Sequence, residues 1–349
     1  MERIIISRYP EEEVAMSQLH HLDDALDTLT FLKAEDLVAE QLKSQHQMTM
    51  SNAKRIAKRI SSHANLAGQY ATLSLNSPPE ISFLPGYYCI LNLAKIYCLA
   101  GPYSTEFDHH SRWHGATYNA QGKMSQSILT DEVRVRGGGA LALFYKTLTN
   151  EPISTDRNLK LKDVYPIVPG IGSELTTITG EEGKSWFIEF YGKNNSGKIL
   201  AEARVLTWGK DRQQINYSGS VRAIPCLKGF KKKPKVTGTF FKHFDETPGL
   251  TLKEEMRNVV RTEFLVNLRE DQPCFCHEQS SVFPMPEEFA SALAFFHLSS
   301  VCRYNPEFVD KLSKSKFWPM LLALRRHALF YFLLSTWSYM IQKNYFLYS

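Results

Sequence analysis

The most hydrophobic stretch of this 349-residue chain falls short of a membrane span. Arg325, Arg326 and His327 split the segment from Phe317 to Ile341 and leave LFYFLLSTWSYMI, about 13 residues where a span needs about 20. A buried helix is read there, and no membrane partner is expected. The first residues, MERIIISRYPEEEVAM, carry only a short apolar run at Ile4–Ile6 before turning acidic, without the apolar core of a secretory signal. Secretion is therefore not expected. The six cysteines, Cys89, Cys98, Cys226, Cys274, Cys276 and Cys302, lack the spacing of a disulfide framework and lie mostly within apolar runs. They read as small core residues of a protein in the reducing cytoplasm. No excess of one charge sign dominates: 41 basic against 36 acidic residues give +5, which permits a nucleic-acid partner without requiring one. There is no G-x-S-x-G, no G-x-G-x-x-G, no H-E-x-x-H and no kinase signature set, so most large enzyme classes lose support. Internal repeats and low-complexity tracts are absent as well.

What is present is a 43% hydrophobic composition, enough for a sizeable core in two or three domains or one composite one. From Glu11 to about Gln47, apolar residues from Val14 to Leu42 recur every three to five positions, predicting amphipathic helices with a break near Ala34. A second helix is predicted from about Ser51 to Ser74, capped by Ser51 or Asn52. Its Lys54, Arg55, Lys58 and Arg59 form a stripe that reads as a solvated face or a phosphate track. Asn76 to Glu80, NSPPE, stops that helix, and the next is predicted to begin near Leu84 with Pro85 in its first turn and to end at Ala100-Gly101-Pro102. TDEVRVRGGGALALFYKTL reads as a strand, a glycine turn and a helix from about Ala140 to Leu148. Gly137, Gly138 and Gly139 lack the lysine and serine or threonine of a phosphate loop.

SWFIEFY, GKNNSGK and ILAEARVLTW together carry a β-hairpin pattern, with QQINYSGSVRAI as a third strand. The densest basic run follows at Lys228, Lys231, Lys232, Lys233 and Lys235, with Phe230, Phe240 and Phe241 nearby. Lysines among aromatics can meet phosphates and stack bases, and they can equally form a solvated loop. From Glu287 the pattern is helical again, broken at Asn305-Pro306.

Chemistry concentrates between Leu84 and His114. Tyr88, Asn92 and Lys95 share one face of an otherwise apolar helix, and buried polar groups there need partners. A carboxylate, backbone carbonyls, a bound anion or a polar network between helices would each supply them. His109, His110 and His114 with Asp108 have metal-binding residue types, but no consistent carboxylate or histidine elsewhere in the chain is identifiable to complete a site; PCFCH at Cys274, Cys276 and His277 is a single short signal. No metal and no cofactor are expected.

The segment PGYYCILNLAKIYCLAG followed by HHSRWHG resembles the YaaC-like bacterial proteins, in which a tyrosine-rich helix with asparagine and lysine precedes a histidine-glycine pair. HLSSVCRYNPEF is similar to that family's C-terminal helix, and LALFYKTL with LKLKDVYPIVPGI to its middle. YYCILNLAKIYCL is also similar in pattern to the tyrosine-alanine helix of the HEPN superfamily, helical bundles that in many bacterial conflict systems act as ribonucleases. Ribonuclease members separate an arginine from a histidine by four to six residues; Arg59 and His63, and Arg112 and His114, stand closer.

The resemblance implies an α+β fold: a mostly helical, HEPN-like bundle over 1–150, a β-hairpin-rich insertion over 151–250, and C-terminal helices over 251–349 packing on the first region. It also implies a role in a bacterial nucleic-acid-linked or defence system, with Asn92, Lys95, His114 and Arg303 lining one polar pocket. For RNA cleavage His114 would act as general acid or base, and Lys95 or Arg303 would stabilise the phosphorane charge. The competing expectation is a non-enzymatic interaction protein that binds a protein or nucleic acid through Lys228 to Lys235. RNA, DNA, a protein partner and self-association all remain open.

Overall fold

A computed structural model describes residues 1–4, 11–16, 21–118, 128–180, 185–195, 197–206, 224–234, 236, 238–261, 274–277 and 283–347. In chain order come β1 (Glu2–Ile4), β2 (Glu11–Met16), α1 (His21–Lys33), α2 (Glu35–Gln45), α3 (Met50–Asn76), α4 (Pro79–Ala100) and α5 (Phe107–His110). Then follow β3 (Ala116–Tyr118), β4 (Glu132–Val135), α6 (Ala140–Thr149), β5 (Arg157–Lys160), α7 (Leu161–Val164) and α8 (Gly172–Thr179). The middle holds β6 (Ser185–Asn195), β7 (Lys198–Leu206), β8 (Lys231–Lys232), β9 (Thr239–Asp245), α9 (Leu252–Val259) and β10 (Cys274–His277). The chain closes with α10 (Glu287–Tyr304), α11 (Pro306–Ser313), α12 (Trp318–Ile341) and β11 (Lys343–Leu347). The fold class is α+β, and it divides into two compact units: Met1–Met16 with Gly183–Met285 and Lys343–Ser349, and Ser17–Glu182 with Pro286–Gln342.

The first unit is a sheet. β1, β6, β7, β9 and β8 hydrogen-bond in that order, and β10 also pairs with β6. β6 and β7 form the predicted hairpin, antiparallel from Phe187↔Leu206 to Asn195↔Lys198. Side chains alternate, so Ile188, Phe190, Ala201, Ala203, Val205 and Phe240 share one face and close on Met256 and Val260. α9 starts with a capping box, Thr251 and Glu254 bonding each other's backbone amides. β2 pairs in parallel with β11 from the other end of the chain. This corrects the expectation that helix begins at Glu11: a distant strand supplies partners that local periodicity cannot register. The expected third strand, 213–224, lies outside the described residues except for Ile224.

The second unit is helical, with a small antiparallel sheet in the order β3-β4-β5. α3 buries Ala53, Ile56, Ala57, Ile60, Ala64, Ala67 and Ala71, a stripe of small residues that lets α4 lie close. Its cap is Thr49, whose hydroxyl accepts from the Asn52 amide, and not Ser51 or Asn52. α4 begins at Pro79, five residues before the expected Leu84, with Pro85 inside it. The bond that Pro85 cannot donate is offset by burial along nearly the whole helix, and Gly86 permits the approach: a Cβ there would meet Phe295 of α10 at 2.5 Å. Among the described residues α4, and not the C-terminal segment singled out in the sequence as the most apolar, is the one helix long and apolar enough to cross a membrane, and 83% of its apolar window is buried. Cys89 and Cys98 are buried there as thiols, and Cys226 is buried in the sheet unit, none of them in a disulfide. α10 is buried from Glu287 to Val301 and emerges at Arg303 and Tyr304.

Candidate functional site

The loop after α5 interlocks with the glycine turn before α6. The first amides of α6 donate to it, Ala140 N–H to the Trp113 carbonyl at 2.8 Å and Leu141 N–H to the His114 carbonyl at 3.0 Å. Arg136 N–H donates to the Gly115 carbonyl at 2.9 Å, and Gly139 N–H to His110 Nδ1 at 3.3 Å. Gly115 and Gly139 sit at φ +84° and +97°, and a Cβ on Gly139 would come within 2.5 Å of Gly115 Cα. The glycines therefore serve to seat the backbone of Trp113 and His114 against α6, a different task from cradling a phosphate.

That seating opens a cleft of about 1000 Å³ between the loop, the small sheet and the end of α10. Arg112, His114, Arg136 and Arg303 line it, together with Tyr118, Phe296 and Ser300. Trp113 is 68% exposed and Tyr304 72%, both on its wall, and the Arg303 guanidinium lies 5.2 Å from the Tyr304 ring centre. Two large aromatics open on the wall of one cleft offer flat faces on which a ligand can stack. Among the described residues one carboxylate lines the cleft, Asp156, and it is already engaged: it accepts from Arg134 at 2.9 Å and from the Gly137 amide at 3.1 Å. Among the described residues no carboxylate pairs with Arg112, Arg136 or Arg303 in the cleft.

His114 is fixed from behind. Its Nδ1 and the Tyr87 hydroxyl are hydrogen-bonded at 2.7 Å, and the two rings stack with centres 5.5 Å apart, leaving Nε2 for the cleft. Burial, and then the charges of Arg303 and Lys95, hold its pKa below the ordinary histidine value. Burial likewise raises the Tyr87 hydroxyl, which stays protonated. The floor is braced by a buried pair: His297 Nε2 meets Asp131 at 2.8 Å, and the same carboxylate accepts from the Tyr118 hydroxyl at 3.1 Å.

Of the four residues expected to meet, His114 and Arg303 line this cleft and Asn92 and Lys95 lie on α4 beside it. Asn92 is 6% exposed; its amide donates to the Tyr88 carbonyl at 2.7 Å and its oxygen meets His63 Nδ1 at 2.8 Å. Lys95 is half-buried, and that burial lowers its pKa. In the sheet unit Lys228, Lys231 and Lys232 are exposed, whereas Lys233 is bound at 2.6 Å by Glu202, which is buried and also holds Arg204 at 2.9 Å. Lys235 lies outside the described residues. Sequence reasoning missed Arg112, Trp113, Arg136 and Tyr304, although R-W before the histidine and R-Y ending a buried helix are polar-aromatic pairs where packing alone calls for neither. No cluster of three metal-ligating side chains occurs among the described residues.

No curated protein and no solved structure matches this chain. A family model described as YaaC-like Protein matches residues 30–336, most of the chain and all of the cleft, and the protein belongs to that family.

Proposed function

We propose that the cleft binds single-stranded nucleic acid, with Arg112, Arg136 and Arg303 meeting phosphates and Trp113 and Tyr304 stacking bases. One observation carries the reading: three arginines that form no ion pair among the described residues share a cleft with two aromatic rings more than two-thirds exposed. Cations held together without counter-ions repel one another, and a polyanion removes that cost while releasing its own counter-ions. Bases on exposed rings add sequence-tolerant affinity.

Cleavage is a second reading, favoured by the Tyr87–His114 bond, which orients an imidazole kept neutral near pH 7 and able to take a proton from a ribose hydroxyl. Arg303 would then stabilise charge on the phosphorane. A cytoplasmic role in a bacterial nucleic-acid-linked or defence system, and a distant HEPN-like relationship, belong to the same proposal and rest on the resemblance of the α4 sequence.

The test is anisotropy of a fluorescein-labelled oligouridylate titrated with protein across a salt series. Wild type should bind with affinity falling steeply in salt, and Arg303→Ala should weaken it by roughly tenfold. Salt-independent binding, or an Arg303→Ala variant equal to wild type, would refute it.

A further inference from the structure

The unpaired cations continue past the cleft along α4. Lys95 lies on the face that carries Tyr88 and Asn92, half-buried, and among the described residues no carboxylate pairs with its ammonium. Two imidazoles flank it, His63 of α3 and His114 of the cleft loop, and both feel its positive charge. Asp108, the acid carried by the adjoining turn, is taken by Arg59. Asn92 fixes the His63 ring through Nδ1, so its remaining nitrogen is Nε2. Tyr88 stands between the two histidines, stacked on Tyr70 with ring centres 5.3 Å apart and edge-on to His114 at 6.3 Å.

A half-desolvated ammonium with no carboxylate paired to it among the described residues is an incomplete arrangement, because burial acts against its charge. A protein that needed only structure there would do as well with leucine or methionine. An anion completes the site: it pairs with Lys95 and favours protonation of both imidazoles. Continuity through His114 identifies which anion, since a strand lying in the cleft carries its next phosphates past that ring.

The geometry points to a second phosphate subsite at Lys95, flanked by His63 and His114, which takes a further phosphodiester of the strand held in the cleft. The ligand is then a single-stranded nucleic acid of several residues and not a mononucleotide. This rests on the nucleic-acid reading of the cleft.

The test compares uridine monophosphate with the labelled oligouridylate on wild type, Lys95→Met and Lys95→Arg, each first shown to melt as a folded protein. Lys95→Met keeps the apolar stem and removes the charge; Lys95→Gln serves if methionine perturbs the fold. The oligomer should bind Lys95→Met about tenfold more weakly, with a slope of log affinity on log salt shallower by about 0.7, and Lys95→Arg should restore both. The monophosphate, confined to the cleft, should bind all three alike. Unchanged oligomer affinity and slope in Lys95→Met, or an equal loss for both ligands, overturns the subsite. If the oligomer depends on Arg303 but not on Lys95, the subsite falls and the cleft stands; if wild type binds neither ligand, both fall.

Discussion

Two groups of cations in this chain meet opposite fates. In the sheet unit, buried Glu202 binds Arg204 and Lys233, Arg204 also lies over the Tyr191 ring at 4.0 Å, and Arg3 is taken by Glu189. Much of the positive charge on that face is thus neutralised where it stands. In the helical unit the cleft gathers Arg112, Arg136 and Arg303 from three distant segments, and the one carboxylate that lines it among the described residues, Asp156, is held by Arg134. The lesson is that a run of basic residues measures charge density in sequence, whereas binding follows charge left without a partner. Exposed lysines on a solvated strand cost little to leave in water; arginines converging on a concave wall concentrate a field that only an anion relieves.

The strongest way to break this comparison is to empty the cleft. Replacing Arg112, Arg136 and Arg303 together by alanine should lower affinity for single-stranded RNA by at least about 100-fold and flatten the salt slope by about 2. Anisotropy titrations at several salt concentrations check both numbers. Trp113→Ala and Tyr304→Ala come next, each expected to cost roughly tenfold while leaving the salt slope unchanged, because stacking releases no counter-ions. A changed slope would mean the rings act only by placing the arginines.

A triple Lys228, Lys231 and Lys232→Ala variant should change affinity by less than about threefold, since these side chains are exposed to water. A loss comparable to that of the arginine triple would reverse the ranking of the two regions. The smallest expected effect is on stability against pH. His46, His63, His110 and His114 all have pKa values lowered chiefly by burial from the ordinary 6.5. The unfolded chain therefore binds protons that the folded one refuses, and the stability these residues contribute is complete above pH 6.5 and lost as pH falls below it. Thermal melting should show a lower midpoint near pH 5.5 than near pH 7.5, partly recovered by saturating RNA, whose phosphates favour the charged imidazoles.

How far the sequence alone reached follows from the range of the interactions. The β6–β7 hairpin was legible because alternation and a glycine-asparagine turn are local properties, and α6 and α10 were legible for the same reason. β2 was misread as helix because its partner β11 lies more than 300 residues away. α4 was read short because Pro85 looks like a first-turn proline, and what tolerates it inside the helix is the packing of Gly86 against Phe295. At the site, His114 and Arg303 were singled out by residue type, and their shared cleft could not be inferred because Gly115 and Gly139 must first lock two loops together. The arginines and open aromatics stayed unread because each sits alone in its own segment.

The central claim, that unpaired charge and open rings make the cleft and not the lysine run the nucleic-acid site, is tested most directly by photo-crosslinking. Oligouridylate carrying 4-thiouridine is bound to the intact protein, irradiated, and the modified peptides identified by mass spectrometry. Crosslinks should fall at Trp113 to Tyr118 and at Arg303 and Tyr304; crosslinks confined to Lys228–Lys233 and Phe241 would contradict the account.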